Sequence, residues 1–493
     1  MSDNIFVEKY DEVYVKVFCE PGIGYELQEY FTFEVPGARF MPQVRNKFWD
    51  GKIRLFNPAT CLIYAGLVPY IREFAKLFEY TVSVDEDLSE DPFSIKEAKE
   101  FAAEKTTNYT PRDYQLKAFA HAMRNRRALL LSPTASGKSL IIYLIAQAMK
   151  DYGNKILVIV PTVSLVYQMQ TDFQDYGFKD SIRVIDGKQN KSWREHISEE
   201  VVISTWQSLH KMPKPFFSQF KCVIGDEAHL FKSKSLTNIM TKLEDCPYRF
   251  GFTGTIDDTL THKLVLEGLF GAVKKVTTTA ELMEKGTLAD LKVKMITLKH
   301  PATQCELMKK ATYQEELQYL VGSEARNKFL QNLILSLDGN SLVLYQLVEK
   351  HGKPLYNNIL EQVNKQVVDR NVFFVSGEIN AETRENIRAL VEEDKDAIIV
   401  ASYGTFSTGI NIKNLDNIIF ASPSKSKIRV LQSVGRGLRK SDRKSEATLF
   451  DIADDLTHKS RKNFTLKHAA DRIKFYNDEK FDYKIYQVKL NGT

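Results

Sequence analysis

Two short stretches of this 493-residue chain carry residue types that could do phosphate chemistry. In LLLSPTASGKSL, residues 129–140, Gly137, Lys138 and Ser139 close a loop between an apolar string and a segment with helical spacing. A loop running from strand into helix offers an anion unpaired backbone N–H groups and the positive end of the helix dipole. Lys138 could reach the β- and γ-phosphates, and the Ser139 hydroxyl could ligate Mg²⁺. Ser132 stands where the pattern G-x-x-x-x-G-K-[ST] has its first glycine. Taken alone, the loop therefore also reads as an ordinary helix start with Ser136 as N-cap. The second stretch, FKCVIGDEAHLF, brings Asp226 and Glu227 to the end of an apolar strand. One carboxylate can hold Mg²⁺ while the next orients and deprotonates a water. Together the two stretches predict hydrolysis of a nucleoside triphosphate.

The surrounding elements must bring these residues together. Apolar strings of four to six residues alternate with helical segments from Tyr109 to about Lys285: RALLLS, KILVIVP, SIRVID, EVVIST, FKCVIGDE and YRFGFTG. The alternation returns in NSLVLYQ, NVFFVSG, DAIIVAS, DNIIFAS and EATLFDI. Continuous apolar strands of this kind suit parallel sheets buried on both faces. We therefore expect two α/β domains in tandem, over 89–285 and 286–456. Residues 1–88 mix short apolar strings with turns and one helical piece, LVPYIREFAKLFEY, and read as a small α+β domain. Val84–Pro92, VDEDLSEDP, reads as a solvated linker before a connecting helix in FSIKEAKEFAAEK. Residues 457–493 read as a basic, helical extension.

Composition excludes several classes. Hydrophobic residues make up 43% and charged residues 27%, ordinary values for a globular protein. No apolar run reaches the length of a membrane span, and the acidic start MSDNIFVEKYDEV does not resemble a signal peptide. Five scattered cysteines without a C-x-x-C pair argue against a zinc site and fit a reducing cytoplasm. The net charge of +5 is too mild to argue for nucleic acid by itself.

From about Pro111 to Arg439 the chain resembles the superfamily 2 helicases and translocases, with tandem RecA-like domains and motifs in the same order. The resemblance implies that Arg112 and Gln115 in PRDYQ lie on the adenine side of ATP. It makes Ser132–Ser139 the phosphate loop, with Thr134, Ala135, Ser136, Gly137, Lys138 and Ser139 at the nucleotide. Pro161, Thr162 and Gln168 in VPTVSLVYQ, and Thr205 and Gln207 in ISTWQSL, match motifs that contact the nucleic-acid backbone. Asp226–His229 is the DEAH box. Thr253-Gly254-Thr255 stands where SAT is commoner, and with His229 is implied to couple hydrolysis to strand movement. In the second domain Ser376, Arg384 and Thr405 match nucleic-acid-binding positions, and Gly409 a nucleotide-binding one. Gln432, Arg436 and Arg439 match Q-x-x-G-R-x-x-R. An arginine supplying positive charge to a γ-phosphate is worth roughly 10³–10⁵ in rate in other NTPases.

A closer resemblance is to the UvsW helicases of tailed bacteriophages, carried by RNKFWDGKIRLF, GLFG, VASYGTFSTGI, SKIRVLQ and DRIKFYNDEKFDY. It implies a monomeric ATP- and Mg²⁺-dependent motor on branched DNA: forks, Holliday junctions and R-loops with their RNA–DNA hybrids. The implied setting is phage recombination, repair and replication in the host cytoplasm. A nucleic-acid annealing protein with an accessory ATPase and a restriction motor are the competing readings.

Near the N-terminus Arg39, Arg45, Lys47, Lys52 and Arg54 are interleaved with Phe40, Phe48 and Trp49, and Phe56 follows. Cations track phosphates and aromatic rings stack on unpaired bases. We expect the cations at DNA, and Trp49 and Phe56 in the domain core. The tail cations Lys459, Arg461, Lys462, Lys467, Arg472 and Lys474 read as a solvated face or a second backbone contact.

Overall fold

The computed structural model describes residues 4–85, 91–187, 197–256, 260–366, 370–379, 381–409, 412, 414–423 and 446–490. The chain divides into two compact units: Met1–Ser132 with Gly137–Thr277, and Thr278–Thr493 with Pro133–Ser136.

In the first unit, β1 (Ile5–Lys9), β2 (Tyr14–Cys19), β5 (Leu62–Tyr64) and β6 (Val82–Val84) form a sheet in the order β5-β2-β1-β6. Alternation puts Ile5, Val7, Val15 and Val17 on its buried face. They pack against Ile23 and Leu27 of α1 (Pro21–Tyr30) and against Ile71, Phe74 and Ala75 of α2 (Val68–Leu77). A separate antiparallel pair, β3 (Thr32–Glu34) and β4 (Lys52–Arg54), brackets the basic and aromatic stretch. Phe56 is buried in this core as expected.

This small domain is fastened to the α/β domain of the same unit. Leu264 of α7 (Leu260–Phe270) joins its core. The Tyr70 hydroxyl donates to Glu267 Oε2 at 2.7 Å, and Arg127 Nη2 reaches Glu12 Oε2 at 2.9 Å. A Cβ on Gly268 would come 2.8 Å from the Tyr64 ring, so the close approach requires glycine there. The described end of the expected solvated linker is also held, because Asp91 forms a two-bond ion pair with Arg126. The helix after it is α3 (Ile95–Lys105), opened by a capping box between Ser94 and Glu97.

The α/β domain of this unit has a seven-stranded parallel sheet among the described residues, in the order β13-β7-β12-β11-β8-β10-β9. Its strands are β7 (Arg127–Leu131), β8 (Lys155–Val160), β9 (Ile182–Ile185), β10 (Val201–Thr205), β11 (Phe220–Asp226), β12 (Tyr248–Thr253) and β13 (Val273–Lys275). Against it pack α4 (Asp113–Asn125), α5 (Lys138–Asp151) and α6 (Val163–Tyr176). In α5 every residue from Leu140 to Met149 is buried, because sheet and neighbouring helices enclose it.

The second unit repeats the plan, with order β16-β17-β15-β18-β19-β14-β20 and all-parallel pairing. Its strands are β14 (Asp290–Lys299), β15 (Ser341–Tyr345), β16 (Val372–Val375), β17 (Ile398–Ser402), β18 (Asn417–Phe420), β19 (Glu446–Asp455) and β20 (Asp482–Lys489). Its helices include α8 (Glu324–Leu335), α9 (Tyr403–Gly409) and α10 (Phe464–Asp478). The fold is thus α/β with two RecA-like parallel sheets and a small N-terminal α+β domain. Residues 457–493 differ from the expected helical extension: α10 is followed by β20, which adds an edge strand beside β14.

Candidate active site and nucleic-acid interface

The phosphate loop connects β7 to α5. Ser132 N–H donates to Thr253 O at 2.8 Å, so the residue replacing a glycine ties the loop to the end of β12. Ala135 (φ +65°) and Gly137 (φ +76°) take left-handed backbone before the helix begins at Lys138. Ser136 does not cap the helix. Its Oγ donates back to Pro133 O at 2.6 Å, and the N-cap residue is Gly137. Gln115 is buried against the loop: its Nε2 donates to Gly137 O at 3.2 Å, and its Oε1 accepts from Arg112 N at 2.8 Å. Arg112 is exposed and donates to the Tyr114 hydroxyl at 3.0 Å. Thr134 and Ala135 are partly exposed in the loop.

Lys138 brings the two signals together. Its Nζ lies 3.1 Å from Glu227 Oε1 and 3.7 Å from Asp226 Oδ1. Glu227 has left-handed backbone (φ +50°), which turns the chain as it leaves β11. Burial pushes the Asp226 carboxyl up, with the Glu227 charge adding to it and Lys138 opposing. Burial acts on Glu227 too, but Lys138 and His229 overcome it and hold its carboxyl well below the usual range. Asp226 Oδ1 is buried without a hydrogen-bond partner. A buried carboxylate oxygen that accepts no hydrogen bond, beside the loop that carries Ser139, fits a Mg²⁺ ligand, since this ion takes few protein ligands and keeps the rest for water and phosphate.

The DEAH box is bonded to the next motif. His229 Nδ1 is 3.0 Å from Thr253 Oγ1 and 3.3 Å from Glu227 Oε2. Thr253 Oγ1 donates to Thr255 O at 2.8 Å and accepts from Thr255 N at 3.3 Å. Glu227, His229, Thr253 and Thr255 thus form one chain of contacts, and Ser132 N–H closes it onto the phosphate loop.

A groove of about 570 Å³ lies at the C-terminal ends of β8 and β10, lined by Pro161, Thr162, Thr205, Gln207, Asp186 and Lys211, among others. The Thr162 hydroxyl caps α6 by accepting from Leu165 N, and Gln207 Nε2 donates to Pro161 O at 3.4 Å. Gln207 is exposed in the groove, and Gln168 is exposed on α6. Thr205 is buried with its hydroxyl 2.9 Å from Ser208 Oγ. Lys211 and Asp186 lay outside the sequence motifs, and nothing in the sequence joins them to the groove.

In the second unit Ser376 and Thr405 are buried, and the Thr405 hydroxyl is 2.7 Å from Ser402 Oγ. Arg384 Nε donates to Ile379 O at 2.9 Å. Gly409 ends α9. Gln432, Arg436 and Arg439 lie outside the described residues. Arg472, expected on a basic face, is instead buried, with Nε and Nη2 on the two oxygens of Asp451 at 2.8 and 2.7 Å. Lys459, Arg461, Lys462, Lys467 and Lys474 are exposed.

In the N-terminal domain Arg45, Lys47, Lys52 and Arg54 are exposed, and Arg54 is also paired with Asp50. Phe40 and Phe48 are 69% and 84% exposed. Trp49 is partly exposed, and its Nε1 donates to Lys52 O at 2.9 Å, closing the turn. Contrary to its expected place in the core, Trp49 belongs to a surface excursion.

Three family descriptions match the chain: DNA helicase UvsW, N-terminal, over residues 4–85; type III restriction enzyme, res subunit, over 108–258; and helicase conserved C-terminal domain over 325–441. The chain is 38% identical to the ATP-dependent DNA helicase uvsW of Enterobacteria phage T4, over 99% of this chain and 100% of that protein. The chain belongs to the UvsW family of DNA helicases. A solved structure of T4 UvsW matches at 37% identity with a TM-score of 0.53, covering 99% of this chain and 100% of that one. A DNA 3'-5' translocase XPB2 of Sulfurisphaera tokodaii is 23% identical over 79% of this chain and 90% of its own length. As a UvsW-family protein the chain is a superfamily 2 helicase that binds ATP and DNA and couples ATP hydrolysis to helicase activity. None of the helices among the described residues is long and apolar enough to cross a membrane.

Proposed function

We propose that this UvsW-family helicase remodels branched nucleic acid (forks, Holliday junctions and R-loops) in phage recombination, repair and recombination-dependent replication. The observation that carries the reading is the fastening of the N-terminal domain to α7 of the motor domain. A basic, aromatic-bearing excursion with Phe40, Phe48, Arg45, Lys47 and Lys52 exposed is thereby held by the unit that carries Lys138, Asp226 and Glu227. A rigidly carried surface of this kind can engage one arm of a junction while the motor draws on another.

In this reading Ser139 and Asp226 would hold Mg²⁺, whose charge would offset that of the phosphates. Lys138 binds the terminal phosphates, and Glu227 orients and deprotonates the attacking water. Lys138 leaves Glu227 to meet the phosphates, and the carboxylate regains basicity as its cation departs. Arg112 and Gln115 hold the base side, with Thr134 to Gly137 and Gly409 at the nucleotide. Gln432, Arg436 and Arg439 act as the resemblance implies. Pro161, Thr162, Gln168, Thr205, Gln207, Ser376, Arg384 and Thr405 take the nucleic-acid backbone, the buried ones among them through main-chain groups. His229, Thr253 and Thr255 transmit hydrolysis to the groove. We place the domains at 1–88, 89–285 and 286–456, with 457–493 as an extension of the last, and take the protein as a monomer in the host bacterial cytoplasm.

The test is ATPase stimulation and strand displacement on single-stranded, linear duplex, forked, four-way and R-loop substrates. The branched substrates should give the largest stimulation. Equal stimulation by linear duplex, or displacement that survives E227Q, refutes the reading.

A further inference from the structure

The Ser139 hydroxyl has a partner far away in the sequence: its Oγ is 2.7 Å from the phenol oxygen of Tyr176. Tyr176 is the last residue of α6, whose N-cap is Thr162 in the groove. One helix, about 21 Å long at ~1.5 Å per residue, therefore ends on the groove at one side and on the phosphate-loop serine at the other. The Tyr176 end is a built site. The ring packs at 5.5 Å from that of Tyr143 and edge-on at 5.0 Å from that of Tyr109. The Tyr176 carbonyl accepts from Thr107 N at 3.3 Å, and Gly177 (φ +115°) closes the helix with N–H bonds to Gln174 and Phe173 carbonyls. Held on these sides, the phenol moves chiefly when the helix moves.

We propose that Tyr176 is a positioning residue that draws the Ser139 hydroxyl away from Mg²⁺, and that α6 relaxes this hold when nucleic acid seats at Pro161 and Thr162. The inference rests on the reading above that Ser139 ligates Mg²⁺ and that the groove takes nucleic acid. Hydroxyl and cation compete for one oxygen whose direction the phenol fixes. Helix α6 has no internal break among the residues from Val163 to Tyr176, so a displacement at its N-terminus is carried to the tyrosine.

The experiment is equilibrium binding of the fluorescent nucleotide mant-ADP, titrated with Mg²⁺, with and without a single-stranded oligonucleotide. It compares wild type, Y176F, S139A and the double variant. Y176F keeps the ring and its packing and removes only the hydroxyl. It should lower the half-saturating Mg²⁺ concentration by about three- to tenfold, the effect of one neutral hydrogen bond. The oligonucleotide should lower it in wild type and have no further effect in Y176F. In the S139A background Y176F should change nothing, because the coupling needs both hydroxyls. An unchanged or raised Mg²⁺ requirement in Y176F, or a shift that persists with S139A, overturns the proposal. If S139A alone leaves the Mg²⁺ requirement unchanged, or fluorescence anisotropy shows no oligonucleotide binding, the underlying reading fails and takes the inference with it. These two results are distinguishable from the first two.

Discussion

Lys138 Nζ and Glu227 Oε1 stand 3.1 Å apart, joining residues 89 positions apart in the sequence. The contact places the cation of the phosphate loop directly on the carboxylate of the DEAH box. It predicts different losses for the two residues. E227Q should lower ATP turnover by about 10²–10⁴ while leaving nucleotide affinity within a few-fold. K138A should lose nucleotide affinity itself. Steady-state ATPase measured beside mant-ADP binding separates them.

The bond between His229 and Thr253 predicts an uncoupled variant. T253V removes the hydroxyl that meets both His229 and Thr255 but keeps the β-branched shape on β12. ATPase should fall by only a few-fold, whereas strand displacement per ATP hydrolysed should fall about tenfold or more. A parallel fall in both would mean that the bond serves the chemistry alone.

The cations of the N-terminal excursion should be unequal. Arg45, Lys47, Lys52 and Arg54 are all exposed, but Arg54 is engaged by Asp50, itself exposed. Each exposed cation that meets a phosphate contributes about 0.7–0.9 to the slope of log affinity against log salt. R45A and K47A should each flatten that slope by roughly this amount, and R54A by less. F48A should weaken single-stranded binding with the salt slope unchanged, as loss of stacking requires. Salt-dependent anisotropy titrations read all four.

Arg472 predicts a stability effect rather than a binding one. Its two bonds to Asp451 are buried, and the Tyr476 hydroxyl adds a third to the same carboxylate at 2.8 Å. R472M strands the aspartate and should cost about 3–5 kcal/mol in urea unfolding. K474A, on the exposed face of the same helix, should change stability by about 0.5 kcal/mol or less.

His351 predicts acid sensitivity. Burial pushes its imidazole down to about 3, with the Arg326 charge helping and Asp454 opposing. The folded state therefore refuses a proton that the unfolded chain takes up below about pH 6.5. Stability is unaffected above that pH and falls as pH drops from there toward 3, by about 1.4 kcal/mol per pH unit. The loss should be about 2 kcal/mol by pH 5, and H351N should flatten this slope in chemical denaturation. His121, pushed down to about 4 by burial and by Lys274 and Arg124, acts in the same direction and leaves a residual slope.

The strands that carry the site were legible in the sequence. KILVIVP, FKCVIGDE and NSLVLYQ are buried on both sides, and burial on both sides writes a continuous apolar run. The strands missed are those where that rule lapses. β20 is an exposed edge, DYKIYQVK, and β14 begins with alternating exposed and buried residues before it enters the core. The phosphate loop and acidic pair could also be read, because each is a local pattern tied to one chemistry. A contact depends instead on which helix end meets which loop, and local pattern does not encode that. Tyr176 on Ser139, Arg472 beneath Asp451 and the seating of the N-terminal domain on α7 are contacts of this kind. The sequence by itself determined the family and the apolar strands of the two sheets, and it singled out the candidate reacting groups. Only the tertiary structure decided which cations are spent on buried carboxylates, because burial depends on what packs above a residue and not on the residue's type.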